Sequence, residues 1–520
     1  MKKSLFSSVF ALAMLALLTG CGGGGGGGNN SGGGGTGTSP TAASLLNGQY
    51  SFSFSGSNVA GPLSIVGSFA ADGKGDITGG VEDVTLVKKS NNTIGAQAGL
   101  TLTGSYTVGS DGRGTLTLNT SSDGTQNFAI VVESNNQGQL IWFDNSATGS
   151  GTFNLQDTTA FTAATVNNSF AFGINGVDPS LNAYSRVGQF TAASGSVSTG
   201  ESDLNNAFGI GGVNLAQTIS GGSVGAPNSS TGRGTLSLTY DTLTVNYIYY
   251  VVSATTLNLI EADDQASVYG TATLQSGAPF SDASLTGNYV LSIGGTSSEG
   301  PIAEVGQFSA AGDGSLSGVD DENNDGVVTQ NFTLGGVFAS VTSNGRGTMG
   351  LSFPSATLSY AFYIASSSTV YLMEADVDAT TSGIAMAQTG GPFTTSSLTG
   401  NYGLQFSGAD AAADGVEIDS SGQVASSGTG TLSSGTIDSN FAGFDLPGQT
   451  EPYFGSEAIS AGAYTVTNGT VGRGTIGFNL GTSAFGFAYY FVSPTQIVVI
   501  ETDLSGQDTE GTGQIQPTIP

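Results

Sequence analysis

The sequence predicts an all-β protein made of four tandem antiparallel modules, and three observations lead to this prediction. A Gly-Arg-Gly-Thr phrase followed by Leu, Met or Ile recurs at intervals of 113 to 127 residues, and its arginines are Arg113, Arg233, Arg346 and Arg473. The composition combines 84 Gly with 28 Phe and 17 Tyr. Tyr50, Phe52 and Phe54 alternate with Ser, which is the period of a half-buried strand.

The repeat divides the chain into six segments. We expect a signal peptide over 1–20, a flexible Gly-rich tether over 21–42, and β modules over 43–157, 164–276, 282–389 and 395–516. A module of this size can bury its own core.

Each module reads as a meander of eight short strands. The modules open with Gly or Asn, one residue and an aromatic, and Asp-Gly pairs such as Asp72-Gly73 supply the positive φ of a tight hairpin. Closure into an eight-stranded up-and-down barrel removes both exposed sheet edges, so the barrel is the predicted architecture. A β-sandwich is the alternative.

Composition excludes several classes of function. The formal net charge is −29, and such a surface repels nucleic-acid phosphates and anionic lipid headgroups. The sequence has no histidine, which removes the usual serine and cysteine hydrolase machinery and any imidazole metal site. The prediction is therefore a protein that is not an enzyme and does not bind nucleic acid.

The amino-terminal residues have the pattern of an export signal. Lys2 and Lys3 precede an apolar run that is too short to span a bilayer, and the run ends in Leu18-Thr19-Gly20-Cys21. This ending resembles the lipobox of bacterial lipoproteins. The resemblance implies cleavage before Cys21, lipidation of its thiol and anchoring to a bacterial membrane. Because Gly22 is not acidic, the outer membrane or cell surface is favoured.

The modules also resemble known families. The opening Gly-x-aromatic and the hairpin meander are similar to the calycin group, which includes the lipocalins and avidins. The chain as a whole resembles uncharacterised tandem-repeat bacterial lipoproteins. The calycin resemblance implies barrels whose interior is filled by side chains or holds one small ligand.

Acidic residues recur at the predicted end of the seventh strand. They are Glu261, Asp263, Glu374, Asp376, Glu501 and Asp503, with Trp142-Phe143-Asp144 in the first module. If the two acids of each pair point the same way, they form an acidic rim that could act as a glycosidase pair, bind a hard cation, or simply end a strand in solvent.

A second acidic motif, Asp-x-Asn, follows the predicted third strand, where it suits a turn. In the third module it extends to Asp321, Asn323 and Asp325, the opening of a calcium loop whose closing Glu is missing because Phe332 stands there. Ca²⁺ at these residues is the one cofactor that the sequence suggests. In a meander, both acidic motifs lie at the same end of each barrel.

The repeated arginines begin the fifth strand, at the end of the barrel where the opening aromatics lie. We therefore predict that each guanidinium lies across the opening ring of its own module, with a solvated turn Arg as the alternative. The rings of the aromatic strand, such as Tyr247 and Tyr249, are expected to fill the barrel rather than to bind sugars.

The predicted function is that of a lipoprotein, exported and lipid-anchored, whose four modules bind, adhere or serve as a structural surface element. The sequence identifies no glycan or protein partner. A glycan-acting enzyme with paired carboxylates, small-ligand-carrying barrels and a porin-like membrane barrel are the alternatives, the last disfavoured by the lipobox and by the acidity.

Overall fold

The computed structural model describes residues 42–122, 124–353, 357–410, 416–441, 454–502, 509–510 and 512–517. Almost all of them belong to antiparallel strands, and short helices precede the first strand of each module. These helices are 3-10 turns at Ala42–Leu45, Thr158–Ala160, Asp282–Ser284 and Thr395–Ser397, and the α-helix α1 (Ala163–Val166). The predicted all-β class is confirmed.

The first two modules are closed eight-stranded barrels. The strands of module 1 are β1 (Asn47–Asn58), β2 (Gly61–Asp72), β3 (Asp76–Lys88), β4 (Thr93–Val108), β5 (Arg113–Thr120), β6 (Gly124–Ser134), β7 (Gln137–Trp142) and β8 (Ala147–Leu155). Those of module 2 are β9 (Ser169–Val177), β10 (Ala183–Ala193), β11 (Ser196–Asn206), β12 (Gly212–Val224), β13 (Arg233–Tyr240), β14 (Leu243–Ser253), β15 (Thr256–Glu261) and β16 (Ser267–Leu274).

Module 3 is a third closed barrel, and module 4 is nearly closed. The strands of module 3 are β17 (Thr286–Ser297), β18 (Pro301–Ala311), β19 (Ser315–Asn324), β20 (Val327–Ala339), β21 (Arg346–Ser352), β22 (Thr357–Ser366), β23 (Thr369–Glu374) and β24 (Ala379–Ala387). Those of module 4 are β25 (Thr399–Asp410), β26 (Val416–Ser427), β27 (Leu432–Phe441), β28 (Phe454–Asn468), β29 (Arg473–Leu480), β30 (Ser483–Ser493), β31 (Gln496–Glu501), β32 (Thr509–Glu510) and β33 (Thr512–Pro517).

The order of the strands is that of an up-and-down barrel in every module. Each strand pairs with its neighbours in sequence, and in the three closed barrels the first strand also pairs with the eighth. In module 4, β25 pairs with both β26 and β33, so β33 takes the place of the eighth strand. The barrel prediction is thus confirmed over the sandwich alternative.

Each barrel is filled by its own aromatic and aliphatic side chains. In module 1, Tyr50 stacks on Phe69 with ring centroids 5.5 Å apart, and Phe54 contacts Phe128 and Trp142. Tyr247 and Tyr249 belong to the core of module 2, as predicted for the aromatic strand. The Asp-Gly hairpin also forms as predicted, with Gly73 at φ +76°.

The segments that join the modules are fixed to the barrel that follows. Phe161, Phe280 and Phe393 are buried in the cores of modules 2, 3 and 4, and the ring of Phe393 stacks on Phe491 with centroids 4.5 Å apart. The residue after the last Gln of a module also donates a backbone hydrogen bond to the next module, as Ser276 does to Ala365. The connections are therefore docked.

The four barrels form a closed ring. The first three strands of each module lie against the last three of the next, as in the contacts of β2 with β15 and β16, of β10 with β22 and β24, and of β18 with β30 and β31. The same strands meet between the last and first modules, where β26 lies against β6, β7 and β8. A head-to-tail interface that repeats with a closing rotation produces a ring.

We call the contacts between modules 1 and 2, 2 and 3, and 3 and 4 the linked interfaces, because a chain segment also joins these modules. The contact between modules 4 and 1 is the closing interface. Apolar residues on the outer barrel faces fill the linked interfaces. Val66 of module 1, for example, packs with Ile248, Tyr250 and Ile260 of module 2.

Candidate functional site

The repeated arginines bind carboxylates of the neighbouring module. In the interface between modules 1 and 2, the Nε and Nη2 atoms of Arg233 donate to Asp83 Oδ2 and Oδ1 at 2.8 and 2.7 Å. Arg346 binds Asp203 in the same way at 2.8 and 2.6 Å. Arg473 binds Asp321 at 2.7 and 2.5 Å. Each contact is a bidentate guanidinium–carboxylate pair, which we call the inter-module ion pair.

A tyrosine completes the inter-module ion pair at each linked interface. It is the residue paired with the arginine across the fifth and sixth strands: Tyr250, Tyr363 or Tyr490. Its hydroxyl donates to the aspartate Oδ2 at 2.5 to 2.6 Å. Burial, followed by the aspartate charge, raises the pKa of these hydroxyls well above the usual value, so they remain donors.

A β-bulge in the fourth strand lies opposite the aspartate of the third strand. Asp83, Asp203 and Asp321 each oppose two residues of the fourth strand, so the extra residue belongs to the fourth strand. The aspartate Oδ1 then also accepts the backbone N–H of a fourth-strand residue that has positive φ: Gly99, Ala216 or Asn331.

The location predicted for the Asp-x-Asn motif is therefore wrong. The sequence predicts a turn after the third strand at Asp203-Leu204-Asn205 and at Asp321-Glu322-Asn323, but these residues lie within β11 and β19. The first and last residues of each motif are two positions apart on a continuous strand, so both face outward by strand alternation.

The closing interface contains the same ion pair with a different third member. The Nε atom of Arg113 donates to Asp438 Oδ2 at 3.1 Å, and its Nη2 atom donates to Asp438 Oδ1. Ser456 donates to the same Oδ1. The residue across from Arg113 is Val131, so the tyrosine hydroxyl of the linked interfaces has no counterpart here.

The asparagine of the motif binds the end of the seventh strand of the next module. Nδ2 of Asn205 donates to the Glu374 carbonyl at 2.9 Å, and Asn440 donates to the Trp142 carbonyl at 2.8 Å. Asn323 makes the corresponding contact with the Glu501 carbonyl at 3.4 Å. The two recurrent acidic motifs do meet, but they do so between modules.

The last glutamine of a module makes a third repeated contact. The Nε2 atom of Gln275 donates to the carbonyls of Asn344 and Ile364 beside Arg346. Gln156 makes the equivalent contacts with the carbonyls of Thr231 and Val251 in module 2. Gln388 makes them with the carbonyls of Val471 and Phe491 in module 4. The Gly-Arg-Gly-Thr phrase is thus a docking element for the preceding module.

The buried charges of the inter-module ion pair are compensated. Asp321 is fully buried and the Arg473 side chain is 5% exposed, but each carboxylate oxygen accepts at least two hydrogen bonds. Hydrogen bonds to Asp83 raise the pKa of Arg233 above its usual range. Removal of one partner of such a buried pair leaves an uncompensated charge.

The predicted stacking of each arginine on its own opening ring is wrong. Tyr50 and Tyr289 point into the barrel and stack on Phe69 and Phe308, whereas the arginines point outward. Within the described residues, the cation–ring contact is that of Arg186 with Tyr240, 3.9 Å from the centroid and inside module 2. The first and fifth strands meet at one barrel end, but they present these side chains to opposite faces.

The residues of the suggested calcium loop have other contacts. Both oxygens of Asp321 are bound by Arg473, Tyr490 and the Asn331 N–H, so a cation would have to displace the guanidinium. Asn323 contacts module 4, and Asp325 is an exposed turn residue with φ +50°. In the described part of the chain, no group of three or more acidic or Cys side chains has the geometry of a metal site.

The members of the predicted acidic rim have different environments. Glu261, Glu374 and Glu501 are buried, and Thr381 donates to Glu374. Burial raises the pKa of Glu374 to about 7. Asp263 and Asp376 lie after their strands and accept the backbone N–H of Asn246 and Ser359 at 2.8 and 2.6 Å.

Two predicted residues, Cys21 and Asp503, lie outside the described residues. The sequence reasoning missed Tyr250, Tyr363 and Tyr490, and it assigned no partner to Asp83, Asp203 or Asp438. A signal was present, because both the aspartates and the arginines recur once per module. It could be found only by looking for contacts between modules.

Comparison with known proteins gives no further guide. No protein-family model matches the chain, and no curated protein is significantly similar to it. Among the described residues, no helix has the length and apolar character needed to cross a membrane.

Proposed function

We propose that the protein is a non-enzymatic lipoprotein, anchored through Cys21, that displays a rigid ring of four barrels as a binding, adhesive or structural element of the cell surface. The lipobox supports the anchor, and the Gly-rich segment before residue 43 supports a tether between lipid and ring. The observation that carries the proposal is the inter-module ion pair, which recurs at all four interfaces.

The ion pair supports a scaffold because it fixes the modules relative to one another. Independent binding modules on flexible linkers would need no buried Arg–Asp pair between them, and uncompensated burial of either charge is costly. Here each linked interface adds a tyrosine, a docked linker phenylalanine and a glutamine that binds the next module. The arrangement suits a surface with fixed spacing between four similar faces.

The barrel interiors favour a scaffold over a carrier of small ligands. A carrier in this fold holds its ligand inside the barrel. In module 1 the interior is occupied by Phe52, Phe54, Phe128, Trp142 and Phe153, all buried, and the other modules have equivalent cores.

The environment of the paired carboxylates favours a structural role over glycoside hydrolysis. A glycosidase needs two carboxyl groups on either side of a cleft that a sugar can enter. Glu374 is buried inside its barrel, and Asp376 is engaged with the backbone of Ser359. These contacts hold the strand ends together.

Lipid attachment and surface display can be tested in one bacterial strain. We expect mass analysis of the mature amino-terminal peptide to show acylated Cys21, and Cys21→Ser to release the protein from the membrane fraction. An amine reagent that does not cross membranes should label the exposed residues Lys74 and Lys88 on intact cells. An unmodified Cys21, or labelling only after lysis, would contradict the proposal.

A further inference from the structure

The closing interface carries ionisable side chains at positions where the linked interfaces have none. Glu133 follows Val131, the residue across from Arg113, by two positions. At the linked interfaces, the residues two positions after Tyr250, Tyr363 and Tyr490 are Val252, Ala365 and Val492, all buried. Glu133 is equally buried, at 4% exposure.

Asp419 shows the same difference on the opposite side of the interface. It is the second-strand residue paired with Asn440. In modules 2 and 3, the residues paired with Asn205 and Asn323 are Ser185 and Ala303. In module 1, Thr85 stands in place of the asparagine and pairs with Ser64. Modules 1 to 3 thus have Ser or Ala where module 4 has a fully buried aspartate.

Among the described residues, no positively charged group pairs with Glu133. The Nε2 atom of Gln137 donates to Glu133 Oε2 at 2.9 Å, and Oε1 has no hydrogen-bond partner among the described residues. The backbone of Gly403 in module 4 packs directly on this side chain, and a Cβ there would lie 3.0 Å from Glu133 Cγ.

The groups that face Asp419 are neutral or acidic. Thr148 of module 1 donates to Asp419 Oδ2 at 2.8 Å, and Ser150 lies beside it. Tyr269 of module 2 lies near both Asp419 and Glu417, and Ser57 donates to Glu417 at 2.6 Å. The one inter-module ion pair here uses Arg113 for Asp438, and the described ion pairs include neither Glu133 nor Asp419.

From this placement, we propose that the closing interface is a proton-dependent contact, which holds modules 4 and 1 together while Glu133 and Asp419 carry protons and releases them when both ionise. A buried carboxyl group without a cation is stable only in its neutral form. Loss of the two protons would place two negative charges between the modules. The linked interfaces have neither charge, and a chain segment also joins their modules.

The direction of the pH dependence follows from the protonation states. Burial raises the pKa of Glu133 to about 8 and that of Asp419 to about 7, whereas exposed carboxyl groups titrate near 4. The closed ring therefore binds more protons than the open one between these values. The stabilisation of the closed ring by these two groups is complete below about pH 4 and is lost as the pH rises through 7 to 8.

Two pairs of spin labels can test the proposal in the full chain with Cys21→Ser. Labels at Thr125→Cys and Ser433→Cys lie on exposed strand positions of modules 1 and 4, on either side of the closing interface. Thr78→Cys and Thr244→Cys occupy the equivalent positions of modules 1 and 2, across a linked interface. The second pair is the matched control.

We expect the distance between the first pair to lengthen and broaden between pH 6 and pH 9, while that of the control pair stays unchanged. Glu133→Gln with Asp419→Asn should abolish the change, because amides do not ionise. Glu133→Val introduces the residue found at the equivalent positions 252 and 492, and it should reduce the pH-dependent change in distance. This single variant keeps the test possible if the double variant does not fold.

A first-pair distance that is unchanged up to pH 9.5 would overturn the proposal, as would opening that persists in the amide variant. Opening at pH 9 that is seen only after chelation of divalent cations would also overturn it, since a bound cation would then replace the protons. None of these outcomes depends on lipidation, so the result is separable from the proposed function.

Discussion

The linked interfaces and the closing interface use the same strands and the same Arg–Asp pair, but the closing interface lacks the tyrosine and the docked linker phenylalanine. Arg473 and Asp321, at a linked interface, are 5% and 0% exposed, and Tyr490 donates to the aspartate. Arg113 and Asp438, at the closing interface, are 20% and 4% exposed, which is close to the 24% and 3% of Arg233 and Asp83 at another linked interface. The constant difference is Val131, which stands in place of the tyrosine.

The comparison distinguishes the contact that all four interfaces share from the contacts that only the linked interfaces have. The feature common to all four interfaces is the bidentate ion pair, which fixes orientation and register. The tyrosine and the docked phenylalanine occur only where a chain segment also holds the modules together. Because no chain segment joins modules 4 and 1, we expect the ring to open first at the closing interface.

The largest expected effect comes from removal of the aspartate of a linked interface. Asp321→Ala leaves Arg473 buried without a counter-charge, which should lower the free energy of unfolding by about 3–5 kcal/mol. Asp438→Ala should cost less, because water can reach Arg113. Chemical denaturation followed by circular dichroism measures both, and Trp142 reports on module 1 separately.

Exposed Asp264→Ala serves as the control for this comparison. Replacement of both partners, as in Asp321→Ala with Arg473→Met, should recover much of the loss because no buried charge remains. Equal effects of Asp321→Ala and Asp438→Ala would show that the two kinds of interface are not different.

The linker phenylalanine should have the next largest effect. Phe393→Ala removes a buried ring that stacks on Phe491, and we expect a loss of about 3–4 kcal/mol from module 4, in the usual range for a large core truncation. Phe208→Ala, at a ring that is 41% exposed, should change stability little. A small effect of Phe393→Ala in thermal unfolding would mean that the linkers are not docked.

A single substitution should give a linked interface the pH dependence of the closing one. Val252→Glu places a carboxyl group at the position equivalent to Glu133. We expect a further loss of about 2–3 kcal/mol between pH 6 and pH 9, since each unit of pKa elevation is worth about 1.4 kcal/mol. The matched variant Val252→Gln should lack this dependence, and identical pH profiles for the two would disprove the equivalence of the positions.

The smallest expected effect concerns the tyrosine hydroxyl. Tyr490→Phe removes a hydrogen bond to the charged Asp321 and should cost about 1.5 kcal/mol. Val131→Tyr should add the missing donor at the closing interface and raise the thermal midpoint of module 1 relative to Val131→Phe. If the Tyr and Phe variants at residue 131 behave alike, the hydroxyl does not reach Asp438.

The sequence predicted the barrels well because their determinants are local. Alternating aromatics such as Phe52 and Phe54, and Gly73 in its hairpin, specify strands and turns within a few residues. The ring was not predicted. Its contacts join residues such as Arg233 and Asp83, which are 150 positions apart and on the outer faces of two barrels.

The candidate site was predicted in its residues but not in its pairing. The repeated arginines and the Asp-x-Asn motif were both identified, yet each was interpreted within its own module. Asp203 and Asn205 lie within β11 and follow its alternation, whereas Asp-x-Asn is also good turn chemistry, so the motif alone does not distinguish a strand from a turn. Tyr363 directly follows Phe362. The structure shows that Phe362 points into the barrel core, whereas Tyr363 points outward to Asp203.

The head-to-tail geometry of the interfaces also determines how many modules the protein needs. Each module presents the aspartate on one side and the arginine on the other, so a single module satisfies neither, and four such contacts in succession close the ring. Three modules would leave a gap and a fifth would collide with the first. Recombination between repeats, which readily changes the length of open tandem arrays, would therefore yield chains with an unpaired buried charge, and selection against these would hold the count at four.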